Sequence, residues 1–397
     1  SSQKDIKEKN FNKFIEQGFP NKRIEDWKFS DLKQIISSNF ENLDFSKKDD
    51  QSSIDVDFIH EFEHNKIVFI NGSVSKIDLS YENENKIILN QDFELDEDLS
   101  KNVLINLNTA FLNNCIKITV NKGYKFQKPL ILYNYLTSDL DSHGLNMRLD
   151  INLEDDTSLD VINISNESSK SNFLNFRQKI NIGKNSVLKN YSLDINPTSN
   201  IKYLYKDINL DQNSHLEYFI LSKGSKFAKH DINCSLNNNH GSIALNGIID
   251  LDNKKHHEIK TVINHNEENC KSYQLIKSVL SENSKGIYQG KIYVNSKAQK
   301  TDGYQLSRAL LLNDDVEFNA KPELEIYADD VKCSHGSTTG QLDDEAIFYL
   351  RARGISEKNA KKLLISAFVE DVFEKIASES VNQFIEEKLI ERFHWNN

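Results

Sequence analysis

The sequence predicts a mainly β protein, a parallel β-helix of about 28 residues per coil flanked by amino-terminal and carboxy-terminal helical regions. Three observations carry this prediction. A small polar dyad recurs at Thr157-Ser158, Asn185-Ser186, Asn213-Ser214, Gly241-Ser242 and Asn269-Cys270, 28 residues apart each time. The same strand-like triplet precedes the first three dyads: Ile151-Asn152-Leu153, Ile180-Asn181-Ile182 and Ile208-Asn209-Leu210. Apolar residues at helical spacing gather at the two ends of the chain. A period of this length marks a solenoid, in which no repeat buries its apolar face alone and neighbours stack. Two strands and two turns fill one period, since six or seven residues at ~3.3 Å each span about 20 Å.

Residues 1–100 read as a helical region with short strands. Phe11, Phe14 and Ile15 share a helix face, Gly18-Phe19-Pro20 breaks it, and Leu32, Ile35 and Ile36 form a second face. Lys66–Ile70 and Lys86–Leu89 are brief strands. Residues 101–338 form the β-helix core, with an early coil opening at Pro129–Tyr133 and the last closing at Leu324–Tyr327. Residues 339–397 return to a helical period. Asp343, Asp344 and Glu345 fall in a first turn, where the helix dipole favours carboxylates, and Arg351 and Arg353 precede Gly354, a natural C′ residue. A second helix from about Ser356 carries Leu363, Leu364, Phe368, Val372 and Ile376, and a third from about Glu379 carries Val381, Phe384 and Ile385. These stripes are wider than a β-helix end covers, which leaves a self-contained helical domain and a partner-docking surface both open.

Composition narrows the function. Gly and Pro are scarce, at 14 and 4, against 47 Asn, and Asn tolerates the left-handed backbone that tight corners require. Forty-nine basic and 60 acidic residues give a net charge of −11 with no basic stripe, which argues against nucleic acid. No apolar window approaches a membrane span and the amino terminus is charged, so a cytoplasmic protein, or one in an organelle matrix after processing, without membrane contact is expected. The four cysteines include no CxxC pair, so neither a disulfide framework nor a zinc finger is readable. A P-loop is absent: Gly290-Lys291 lacks both the earlier Gly and the following Ser or Thr. GxSxG, HExxH and GxGxxG are absent too. His256, His257 and His265 lie in a polar stretch without ligand spacing and read as solvated surface histidines.

One constellation stands out, Asp329-Asp330-Val331-Lys332-Cys333-Ser334-His335-Gly336-Ser337. If the strand from Leu324 continues, Cys333 and His335 are i and i+2 and share a face. A thiolate beside an imidazole suits iron, an iron–sulfur cluster or zinc. Two ligands are too few for a stable site, so another chain would have to supply more. A buried cysteine beside a hydrogen-bonded histidine is the plainer reading.

The segments Ala298–Asp302, Lys321–Gly336 and Gly340–Ile355 together resemble the carboxy-terminal signature of the SufB/SufD family of iron–sulfur cluster assembly proteins, and Arg23–Leu32 resembles the family's amino-terminal motif. The resemblance implies a right-handed parallel β-helix and a subunit that turns over no substrate itself. It also implies pairing with SufB, binding of the ATPase SufC, and a nascent cluster held transiently with SufB, with the nucleotide on SufC alone. His335 matches the family's interfacial histidine, with Cys333 beside it as a further candidate cluster ligand. The helices after Gly340 match the SufC-docking region, which assigns partner binding to Phe348, Leu350, Arg351, Leu363, Leu364, Phe368 and Val372. The resemblance leaves a homodimer open for the isolated chain. The short chain, the lack of a cysteine before Cys115, and Leu350 where SufB carries its cluster-building cysteine set the chain apart from SufB. The alternatives are a SufB-type scaffold and, in a different class, a β-helix carbohydrate-active enzyme, which would need a groove with paired carboxylates.

Overall fold

Strands that are consecutive in the chain alternate between a ten-stranded and a nine-stranded sheet, so that two strands make one coil. The computed structural model describes residues 2–46, 57–91, 95–112, 114–376 and 378–392. The ten-stranded sheet runs from Ser73–Asp78 at one edge to Val331–Gln341 at the other, and the nine-stranded sheet from Ile87–Asn90 to Glu317–Ile326. Pairing is parallel along both stacks except at their starts. There Ser73–Asp78 and Ile87–Asn90 pair antiparallel with the first strands and cap the stack. The opposite end, formed by Glu317–Ile326 and Val331–Gln341, has no such cap among the described residues.

Several boundaries differ from expectation. The first coil begins at Asn65–Ile70, which pairs with Leu130–Leu136, well before residue 101. The last strand is Val331–Gln341, so the solenoid closes beyond both Tyr327 and residue 338. The strand through Leu324 ends at Ile326, and a corner carries the chain into the other sheet before Cys333. From Cys115 onward the register offsets range from 26 residues, Ile201 onto Phe227, to 33, Cys115 onto Arg148, rather than holding at 28.

The corners explain both the dyad and its slippage. Asn185, Asn213 and Asn269 hold φ of 55°, 53° and 61°, the left-handed region that Asn reaches with little cost. Where the dyad opens with Thr157 or Gly241, the preceding residue takes that conformation instead, Asp156 at 60° and His240 at 64°. The residue that follows the left-handed one is buried, and where it is a serine it closes the turn, as Ser186 Oγ donates to Glu154 O at 2.7 Å and Ser214 Oγ to Asp211 O at 2.6 Å.

Because strand side chains alternate, each sheet has an inner and an outer row. The inner rows meet in one apolar core that includes Ile151, Ile180, Ile208, Ile232, Ile243 and Ile263. Both outer faces are covered as well. Helices α1 (Gln3–Gln17), α2 (Leu32–Asn39) and α3 (Val103–Phe111) cover the nine-stranded sheet at Phe173, Ile201, Tyr203 and Phe227. Helices α4 (Asp344–Ala352), α5 (Glu357–Phe373) and α6 (Glu379–Arg392) follow the last strand, and α5 and α6 cover the ten-stranded sheet at Tyr191, Phe219, Ile248 and Val279. The carboxy-terminal stripe therefore lies along the side of the solenoid, not over its end. Along α1 the buried residues are Ile6, Asn10 and Phe14, while Phe11 and Ile15 of the expected face are 39% and 62% exposed. Among the described residues no helix is long and apolar enough to cross a membrane.

Candidate functional site

Cys333 and His335 lie two residues apart on the edge strand Val331–Gln341, opposite Gly303 and Gln305 of Thr301–Leu311. Gln305, 1% exposed, faces the solenoid interior, so the row that carries Cys333 and His335 continues the inner row of the coils behind it. In the last coil that row has no further coil above it. His335 is exposed, whereas Cys333 is half-buried against the apolar group of Ile292, Val294, Ala298 and Ala328. Burial pushes the Cys333 thiol up, so it is protonated at neutral pH until a metal or a base takes the proton. Gly336 lies close to the core edge, where an added Cβ would sit 3.1 Å from Leu306 Cδ1. Among the described residues no three His, Cys, Asp or Glu side chains converge on a possible metal position, so Cys333 and His335 have no third ligand from this set.

Behind the edge strand the interior turns polar. Gln274, Gln305 and His335 are successive register partners. Tyr288 Oη lies 3.3 Å from Gln274 Oε1 and 3.2 Å from Gln305 Oε1, while Thr261 Oγ1 lies 2.6 Å from Gln274 Oε1. Thr261 donates to Gln274 Oε1, and Tyr288, with one hydroxyl proton, donates to one of the two amide oxygens at a time. Gln305 Nε2 donates to Gly290 O at 3.2 Å and to Glu323 O at 3.3 Å. No motif marked these residues; the signal was Gln305 lying one coil length before His335.

The amino-terminal motif acts as a clamp across the coils. Trp27 packs on Tyr203 with ring centroids 5.4 Å apart, and Lys229 Nζ sits 4.4 Å from the Trp27 ring. Lys229, fully buried, pairs with fully buried Glu258 at 2.5 Å, and Ser30 Oγ also donates to Glu258. Lys260 reaches Asp26 at 3.0 Å, and Lys321 on the end strand pairs with Glu25.

His256, His257 and His265 are not solvated. His257 and His265 are fully buried in the inner row, and His256 lies beneath the amino-terminal cap, its Nε2 3.0 Å from Ser30 Oγ. Burial pushes His256 down to about 3 and His257 and His265 to about 4, so all three are neutral. Ser222 and Ser225 hold His257, and Ser272 holds His265. Their polar neighbours in the sequence obscured this, because an inner-row histidine needs only a buried hydroxyl or carbonyl partner.

The predicted docking residues separate by exposure. Phe348 is 74% and Leu363 50% exposed, and Arg351 is also exposed. Leu350, Leu364 and Phe368 are half-buried. Val372 is fully buried with Val369 and Phe373 against the ten-stranded sheet, so this chain already covers it and it is withdrawn as a docking residue. Lys277 of the sheet ties down α5 through Asp371 at 2.7 Å.

A corner groove of about 460 Å³ contains Glu154, Asp155 and Asp211, the kind of carboxylate set a carbohydrate-active enzyme would need. Glu154 and Asp155 accept backbone N–H groups from neighbouring corners, Lys122 and Lys184 at 2.7 and 2.9 Å, and Asp211 accepts from Gln212 N of its own corner at 2.6 Å and from Asn238 Nδ2 at 2.7 Å, which is capping geometry.

The class defined by the fold is a two-sheet parallel β-solenoid, clad in helices, with one end capped and the other open among the described residues. Residues 135–368, more than half of the chain, match the family model for the SUF system FeS cluster assembly SufBD core domain, and the chain belongs to that family. It is 28% identical over 382 residues to the iron–sulfur cluster assembly protein SufD of Escherichia coli, a match covering 93% of this chain and 88% of that protein. It is also 24% identical to an iron–sulfur cluster assembly SufBD family protein of Synechocystis, over 90% of this chain and 84% of the relative. The chloroplastic protein ABCI7 of Arabidopsis thaliana is 24% identical, over 91% and 80% of the two chains. Within the family the likeness is to SufD, and membership gives the chain a role in iron–sulfur cluster assembly.

Proposed function

We propose that the chain is a non-catalytic scaffold subunit that pairs with SufB through the open end of its solenoid and there contributes His335, with Cys333, to a nascent iron–sulfur cluster. The carrying observation is the position of His335, exposed on an uncapped edge strand of a row that is otherwise interior. An uncapped edge with free backbone groups is a template for a second chain, and capping only the amino-terminal end directs pairing to this one. When SufB is absent the same edge would accept a second copy.

The cluster is cargo, built from iron and sulfide rather than kept. The His335 imidazole offers a ring nitrogen to iron, and Cys333 becomes a ligand once its proton leaves. The remaining ligands come from SufB, in keeping with the two-residue set here. SufC binds the nucleotide and docks on the exposed side of α4 and α5, around Phe348, Arg351 and Leu363. The buried side of α5 is fixed to the sheet through Val372 and Lys277, so a push on this helix pair reaches the coils.

The test is co-purification with SufB and SufC, followed by anaerobic reconstitution with ferrous iron and sulfide. A stable ternary complex that develops an iron–sulfur chromophore is the expected result. Failure of the three chains to associate overturns the proposal.

A further inference from the structure

We infer that Gln305 is a positioning residue for the cluster site, pinning the last coil to the coils behind it and fixing where His335 and Cys333 stand. The inference rests on the site reading given above and adds to it the part of the solenoid that holds the site in place.

Gln305 lies directly behind His335 in the inner row, and its side chain spans the interior. One amide NH2 donates to both Gly290 O and Glu323 O, which lie on two neighbouring strands of the opposite sheet. Its oxygen faces the hydroxyl of Tyr288 on the same opposite sheet. A single side chain thereby ties Thr301–Leu311 to Lys285–Val294 and to the end strand Glu317–Ile326. The gap between the two end strands sets the shape of the open face, and His335 and Cys333 project from one of those strands.

Packing alone does not call for an amide here. In the same row, Gln274 pairs with Leu245, which is fully buried, so an apolar side chain fits this register deeper in the solenoid. Further back the same row carries Tyr218 and buried Asn190 before returning to Val161, so polar side chains recur along it without the register requiring one. A buried amide is unfavourable unless its groups find partners, and the surroundings of Gln305 supply them. Gly290 makes the arrangement possible, because a Cβ there would overlap both Gln305 Oε1 and Tyr288 Oη. Two positions on opposite sheets are thus matched to one hydrogen-bond arrangement.

The test uses the full chain assembled with SufB and SufC. Gln305→Met keeps the bulk and removes the hydrogen bonds, while Gly290→Ala leaves Gln305 in the sequence and displaces its side chain. Each variant should still assemble, with cluster chromophore reduced at least fivefold and amide exchange in Val331–Gln341 at least tenfold faster, while Phe173–Ile182 is unchanged. The double variant should be no worse than the weaker single one, since both act on one arrangement. His335→Ala is run in parallel. If it abolishes the chromophore while both Gln305→Met and Gly290→Ala reconstitute normally, the positioning role is overturned and the site reading stands. If His335→Ala itself reconstitutes normally, the site reading fails and the role of Gln305 fails with it. Should Gln305→Met not fold, Gly290→Ala decides the question on the same readouts.

Discussion

Gln305 and His335 are register partners on the last two strands of the ten-stranded sheet, and the solenoid core ends between them: Gln305 is 1% exposed, and His335 is open to solvent. A side chain at such a step has a rigid wall behind it and free approach in front. That combination suits a ligand shared with another chain, because the wall limits rotamer freedom without closing access. The arrangement depends on the distant amino terminus as well, since Glu25 and Asp26 hold strands close to this end.

The Lys229–Glu258 pair holds the clamp. Both residues are fully buried and meet at 2.5 Å beneath Trp27. Lys229→Met leaves the Glu258 charge unmatched and should cost about 3–5 kcal/mol in urea unfolding, as for other buried pairs that lose one member. Adding Glu258→Met should recover most of that loss. A double variant as unstable as the single would show that the pair is not what stabilises this contact.

Acid should unfold the protein through its buried histidines. Burial holds His230 and His256 at about 3 and His257 and His265 at about 4, against 6.5 unfolded. Between the two values the unfolded chain binds the extra protons, so stability falls as pH drops from about 6.5 toward 4, at up to roughly 1.4 kcal/mol per pH unit for each histidine. Above pH 7 the contribution is constant. Urea midpoints should fall steeply from pH 6.5 to 4.5, and the slope should lessen by about one histidine in His265→Gln. A flat profile in that range would contradict the burial of these groups.

How much of this was legible in the sequence follows from which rows face what. The 28-residue dyad was readable because Asn185, Asn213 and Asn269 sit at corners, where backbone conformation restricts residue type. Cys333 and His335 were readable because the signature around them is contiguous. The histidines were not, since the outer faces of both sheets lie under helices and the usual contrast of apolar-in and polar-out is lost. Val372 was misjudged for the same reason: a helix stripe does not reveal whether a sheet of the same chain already lies against it.

Exposure on α5 separates docking from folding. Leu363→Asp, at a 50% exposed position, should change stability by less than about 0.5 kcal/mol and weaken SufC capture at least tenfold. Val372→Asp, at a fully buried position, should cost about 4 kcal/mol or more by placing a carboxylate in the apolar layer over Phe219. Unfolding midpoints and pull-downs with SufC check both. Undiminished capture by Leu363→Asp would remove this surface from the docking assignment.

The central claim is tested most directly by the His335→Ala chain, assembled with SufB and SufC and reconstituted anaerobically with iron and sulfide. The predicted result is a ternary complex of normal yield and unfolding midpoint whose iron–sulfur absorbance falls to the level of a no-cluster control. A complex of the same variant that develops the full chromophore would contradict the claim.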